Sequence, residues 1–366
     1  MSPLITIFRE IRDPRDLNTR HDLAAMLFMA LAATLCGAKS CVEIADFAAA
    51  NEDLLSEIVD LPHGVPSHDS FSRVFRLLDP EEMAGVFTRF RDALRAALGL
   101  GAAKGVVAVD GKSLRRAYER GRAFMPPLMV SVFDAETRLS LMARHAPGGD
   151  EVAATLEALK AVTLKGCTVT ADALHCHPAM AEATRARGAH YALRLKANHG
   201  PLFACALKAF AAADASGALA VHEQSESGHG RCERRRASVI KVPPGAPAFP
   251  GLAALGRIES ERTAGGRTAA GVHYGALSKA LAPRRFLEIM RTHWSVENQL
   301  HWPLDVVFHE DDARTRKNYA PQNLAVLRRI ALDILRAHPD NRSIARKMNL
   351  AAWRKDFFFE LFAHMR

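Results

Sequence analysis

The chain has 366 residues, 49% hydrophobic and 7% aromatic; that is ample for a large core, argues against wholesale disorder, and favours two domains or one domain with an insertion. The formal net charge of +9 points to a polyanionic partner, nucleic acid first. Six cysteines without a C-x-x-C pair argue against a disulfide framework or a structural zinc site. With no basic-then-apolar leader at the start, the expectation is a soluble cytoplasmic protein that has no membrane partner.

Residues 1–100 read as helical. Asp22 is placed to cap an apolar helix from Leu23, and the run to Cys36 is about 14 residues, short of the roughly 20 that span a bilayer. It predicts a buried helix. Helical spacing continues through Cys41–Phe47 and Glu52–Val59, and Pro62 and Pro66 break it. Ser67 or Asp69 can cap a helix through Phe71, Val74 and Phe75. Pro80 opens another, which turns Met83, Val86, Phe87, Phe90, Leu94 and Leu98 inward. A helical unit of this kind binds DNA, mediates assembly, or caps the next domain.

From Gly105 the texture changes. Val106–Asp110 is a nearly continuous apolar run, as in a strand buried on both faces. Leu128–Phe133 and Arg138–Arg144 follow as strands. Asp150 caps a helix carrying Val152, Leu156, Leu159 and Val162. Cys167–Asp172 is another strand, Pro178–Arg187 a helix, and Tyr191–Leu195 a fifth strand. Three strands, helix, strand, helix, strand is the order of an α/β fold with an RNase H-like core. Residues 211–283, rich in Ala, Gly, Ser and Arg, predict a mostly β insertion. A helix is expected to start near Arg284 and run past Asp305, and an amphipathic one spans Pro321–Arg336. The expected division is a helical N-terminal domain (1–100), a catalytic domain (101–340) and a basic helical tail (341–366).

Asp110 and Asp172 end predicted buried strands. An acid there is costly unless its charge is used or paired, and strand ends are where sites form in open α/β sheets. Facing carboxylates suit a hard divalent cation. Glu297, on the helix after the insertion, is the best third acid, with two Mg²⁺ or Mn²⁺ ions as the expected cofactor. Asp305, with His301 between them, falls on the same helical face as Glu297 and is the alternative, or an extra ligand.

The stretches Val109–Arg115 (VDGKSLR), Thr170–Cys176 (TADALHC), His293–Trp302 (HWSVENQLHW) and Leu304–Arg314 (LDVVFHEDDAR) resemble the ISAs1-family, H-repeat-associated DDE transposases of bacterial insertion sequences. So do Pro66–Phe71, Gly228–Arg235 and Pro321–Arg329, and the resemblance runs from about Asp13 to Arg336. It implies an RNase H-like core, an associated helical N-terminal domain, and Asp110, Asp172 and Glu297 as the metal-binding acids. It also implies DNA as partner, both terminal inverted repeats and target, and a homodimer or larger assembly to hold two ends. The wider pattern of a Tyr, an Arg, the Glu and a Lys is not kept: Met290, His293, Glu297 and Leu304 stand there.

Several cations could hold DNA phosphates: Lys112, Arg115, Lys196 and the cluster Arg231, Arg234, Arg235 and Arg236. Asn198 could assist, and His175 could touch metal or scissile strand; Trp294 and Trp302 read as core. Two rivals share the fold: a transposase-derived protein that only binds DNA, and a nuclease that cuts without joining. A metabolic α/β enzyme lacks a phosphate-binding glycine motif.

Overall fold

A computed structural model describes residues 3–15, 19–118, 125–217, 219–228 and 230–363. The N-terminal helices are α1 (Pro3–Arg9), α2 (Leu23–Leu35), α3 (Cys41–Ala50), α4 (Glu52–Ser56), α5 (His68–Leu77) and α6 (Pro80–Ala97). Asp22 caps α2 by accepting from the Ala25 amide at 2.8 Å, and Ser67 caps α5 through the Ser70 amide. All thirteen residues of α2 are buried, so its apolar run on every face is a core helix. No helix among the described residues is long and apolar enough to cross a membrane.

The sheet begins with β1 (Val106–Ser113), β2 (Leu128–Asp134) and β3 (Leu139–Ala146), followed by α7 (Glu151–Lys160), β4 (Thr168–Ala171), α8 (Pro178–Ala186) and β5 (His190–Leu195). Then come α9 (Gly200–Ser216) and four strands: β6 (Val221–Gly228), β7 (Arg231–Lys241), β8 (Ala254–Ala264) and β9 (Arg267–Leu277). The chain closes with α10 (Pro283–His293), α11 (Trp302–Val306), α12 (Ala320–Ala337), α13 (Ile344–Trp353) and α14 (Lys355–Leu361). Sheet order is β3-β2-β1-β4-β5-β9-β8-β7-β6. Only β1/β4 and β4/β5 pair in parallel; the rest are antiparallel. The first five strands have the RNase H-like arrangement. The strands between 221 and 277 extend the same sheet through β9 on β5, so the insertion is continuous with the core. It is entered by a helix, α9, that the expectation of a mostly β segment from 211 does not contain.

One sheet face packs α7, α8 and α9 through Val107, Val109, Val169, Ala171 and Leu193. The other is shared. Over β1–β3 it meets the N-terminal helices and α12 through Ala108, Met129 and Phe133, in a core that also takes in α13 and α14. Over the insertion strands it meets α10 through Phe286, Leu287 and Ile289.

The seat of α10 is made by two glycines. Gly256 and Gly275 are register partners on β8 and β9, and the buried Phe286 ring lies against both. A Cβ on Gly256 would sit 2.3 Å from the ring. Gly256→Ala is expected to destabilise the protein by about 1–3 kcal/mol, the usual cost of overpacking. Gly271→Ala, whose Cβ would meet only ordinary contacts at 3.5 Å, is the control. Urea unfolding of both checks this; equal midpoints would mean that the ring yields freely.

The helix expected to run unbroken past Asp305 is interrupted. It stops at His293, and Glu297–His301 forms a π-helical turn before α11, with the Trp302 amide bonded to the Glu297 carbonyl. Pro303 is the physical reason: it has no N–H to donate, and its ring would strike the carbonyl four residues back in a regular helix. Widening the preceding turn relieves both.

Candidate active site

On the parallel pair β1/β4, Val109 stands opposite Ala171. The next residues are Asp110 and Asp172, at one level on neighbouring strands, about 4.8 Å apart across the sheet; Asp172 follows the end of β4, whereas Asp110, expected at a strand end, lies inside β1, which stays paired with β2 to Ser113. Alternation turns Val107 and Val109 into the α7–α9 core and Asp110, like Ala108, to the opposite face.

The π turn brings Glu297 and His301 over this edge. His301 Nδ1 lies 3.5 Å from Asp110 Oδ2 and 3.4 Å from Glu297 Oε2. Asp110, Glu297 and His301 each offer a ligand atom, all within 4.8 Å of one another. Burial lifts the Asp110 carboxyl to about 6; His301 offsets this in part, while Glu297 and Asp172 push it further up. Glu297 is held low, chiefly by its hydrogen bond with His301. Asp172 stands outside the tight trio, with Oδ1 accepting from the Leu174 amide at 2.9 Å, yet close enough for its charge to act on Asp110 and His293. Three acids crowd one edge, with Lys112 near enough for its charge to act on Glu297; carboxylates gathered in this way form a donor set suited to a divalent cation.

Two further histidines flank the acids. His293 Nδ1 lies 3.1 Å from Thr170 Oγ1, and burial lowers its pKa to about 4, so it is neutral at physiological pH. His175 is fully buried, with Nε2 3.0 Å from Glu151 Oε1. The sequence reading missed Glu151. Its carboxylate lies over Gly111, where a Cβ would come within 2.4 Å; the glycine directly after Asp110 was the available signal.

The predicted cations divide into two groups. Lys112, expected on DNA, is buried, with its ammonium 2.6 Å from Asp305 and 2.9 Å from Asp311. Asp305, the alternative third acid, is therefore turned to Lys112, and together they tie α11 to β1. Arg234 pairs with Glu223, Arg235 with Glu226 and Glu233, and Arg236 more loosely with Glu223. Arg115 is 78% exposed beside Asp311. Lys196 and Arg231 are exposed and make no ion pair among the described residues. Asn198 braces the loop after β4 by donating to the Ala173 carbonyl. Trp294 and Trp302, expected in the core, are 44% and 57% exposed, and Trp294 lines a cleft with Arg194, His273 and His293 between α10 and the insertion strands.

The transposase DDE domain family matches residues 101–334, and a DDE_Tnp_1-associated domain matches residues 5–91. The "H repeat-associated putative transposase YhhI" of Escherichia coli (strain K12) is 28% identical over 94% of this chain and 93% of its own length. An "Uncharacterized protein in dhlA 3'region" of Xanthobacter autotrophicus is 34% identical over 71% of this chain and 89% of its own. A solved piggyBac transposase synaptic complex with hairpin DNA covers 99% of this chain and 75% of that one, at 14% identity and a TM-score of 0.43; the likeness is loose, and the fold is read from the strand order above. A family match over 101–334, with relatives of the H-repeat type aligned over nearly the whole length, means that the chain belongs to the transposase DDE domain family.

Proposed function

We propose that this chain cuts the ends of its own insertion sequence and joins the released 3′-hydroxyls to target DNA, with Asp110, Asp172 and Glu297 as the ligands of two divalent ions. The observation that carries the reading is the level placement of Asp110 and Asp172 on adjacent parallel strands, with Glu297 turned onto Asp110. A pair of Mg²⁺ or Mn²⁺ ions, when bound, supplies the Lewis acidity for in-line phosphoryl transfer. The chain's own residues do the rest. The β1/β4 register fixes the two aspartates, and the Lys112–Asp305 pair holds the Glu297 helix against them. The neutral His293 keeps a competing positive charge away from the site. Arg115, Lys196 and Arg231 are the exposed cations best placed to hold phosphates; the paired Arg234, Arg235 and Arg236 would have to exchange partners to do so. Two element ends must be held at once, so the working form is a dimer or larger assembly on DNA.

The test is cleavage of labelled DNA carrying the flanking ends of the chain's own gene, with and without Mg²⁺. Metal-dependent cutting and joining should fall at least about a hundredfold in Asp172→Asn and Glu297→Gln. Binding without cutting in the wild type would favour the DNA-binding rival; cutting without joining would favour the nuclease. Cutting that survives Glu297→Gln and is lost in Asp305→Asn would move the third acid to Asp305.

A further inference from the structure

The imidazole of His301 has no assigned task in the three-acid reading, yet it sits between two of the acids, Asp110 and Glu297. Its side chain is 7% exposed, and Nδ1 sits almost equidistant from the Asp110 and Glu297 carboxylates. The other ring nitrogen, Nε2, is buried and has no hydrogen-bond partner among the described residues. The ring is also held from both sides. The π turn sets its direction, and Asp305, one turn on, is fixed to β1 by the 2.6 Å contact with Lys112. The neighbouring histidines are engaged elsewhere, His293 with Thr170 and His175 with Glu151.

We propose that His301 is a nitrogen ligand of the divalent-ion site, completing an Asp110–Glu297–His301 set that prefers first-row transition ions, Mn²⁺ among them, to Mg²⁺. This rests on the metal-site reading above. The chemistry follows from ligand type. Oxygen-only sites suit Mg²⁺, whereas an imidazole adds affinity for later first-row ions and little for Mg²⁺. A buried ring already aimed at the shared point between two carboxylates loses little freedom when it ligates.

Pulsed electron paramagnetic resonance on the full chain loaded with Mn²⁺ reads the ligand directly. Wild type should show a directly bound ¹⁴N coupling, retained in His293→Asn and lost in His301→Asn and His301→Gln. Calorimetry should show Mn²⁺ affinity falling on the order of tenfold in the His301 variants, with Mg²⁺ affinity changed by less than about twofold. Mn²⁺ bound in an Asp110- and Glu297-dependent way without a ¹⁴N coupling would overturn the proposal and leave the three-acid site standing. A coupling that disappears in His293→Asn instead would also overturn it. Failure to bind Mn²⁺, or binding indifferent to Asp110 and Glu297, would remove the metal-site reading and this inference with it. The wild-type spectrum decides even if the His301 variants fold poorly.

Discussion

Asp110→Asn is expected to abolish DNA cleavage and, with divalent ions chelated, to raise the stability of the protein at neutral pH. The carboxylate is mostly buried, and burial, offset in part by His301 and deepened by Glu297 and Asp172, lifts its pKa from 3.8 to about 6. The sign follows from which state holds the proton. Between about pH 4 and pH 6 the unfolded chain has already ionised Asp110 while the folded one keeps its proton, so stability falls as pH rises through that window. Above pH 6 the whole penalty is present, at most about 3 kcal/mol for a change of that size. Asparagine removes the charge and keeps an acceptor for the Gly111 amide, which now bonds Asp110 Oδ1 at 3.0 Å. The contact with His301 is already inside that figure, and solvent screening at a carboxylate that is not fully buried reduces it, so the expected gain is about 1–2 kcal/mol at pH 7.5. It should vanish at pH 4. Thermal melts of both proteins in chelator at the two pH values check this. Adding Mn²⁺ should then stabilise the wild type and not the variant, because an ion that binds only the folded state stabilises it by mass action. A variant less stable than wild type in chelator at pH 7.5 would mean that His301 more than compensates the buried charge.

Much of the core was legible because the physics there is local. Val106–Val109 and Thr168–Ala171 are short apolar runs ending in an acid, and a strand buried on both faces has no other simple pattern. The helix α9 was hidden by its alanines. Its buried stripe is Leu202, Ala206 and Phe210, a regular spacing of four, but the surrounding Ala, Gly and Ser read as insertion texture. Strand β6 has no buried residue, so no alternation announces it. The pairing of Lys112 with Asp305 was hidden for another reason: it joins residues far apart in sequence, and no local pattern reports it. Trp294 and Trp302 were read as core rather than base-stacking, whereas both are substantially exposed beside the interrupted helix. Pro303 was the one local sign of that interruption.

Glu310→Ala is expected to cost about 3–5 kcal/mol, because it strands a buried guanidinium. Glu310 and Arg329 have fully buried side chains and meet at 3.0 Å; Arg329 also donates to the Ala325 carbonyl and reaches Ser131 Oγ on β2 at 3.4 Å. His309, in a left-handed conformation with φ 52°, turns the chain so that Glu310 points inward while Asp311 and Asp312 face Lys112, Arg115 and Arg116. Replacing the pair together, Glu310→Ala with Arg329→Met, should recover part of the loss: it removes the stranded Arg329 charge, while the buried Arg328, 3.9 Å from Glu310, still loses its partner. Urea unfolding of the two single variants and the double variant measures this coupling. A Glu310→Ala cost below about 1 kcal/mol would show that Ser131, Ala325 and nearby Asp333 satisfy Arg329 without it. Activity per folded molecule is the second reading. The Glu310 anchor fixes Asp311, Asp311 helps hold Lys112, and Lys112 lies two residues from Asp110, so cleavage should fall further than the folded fraction does. An equal fall in both would confine Glu310 to the core.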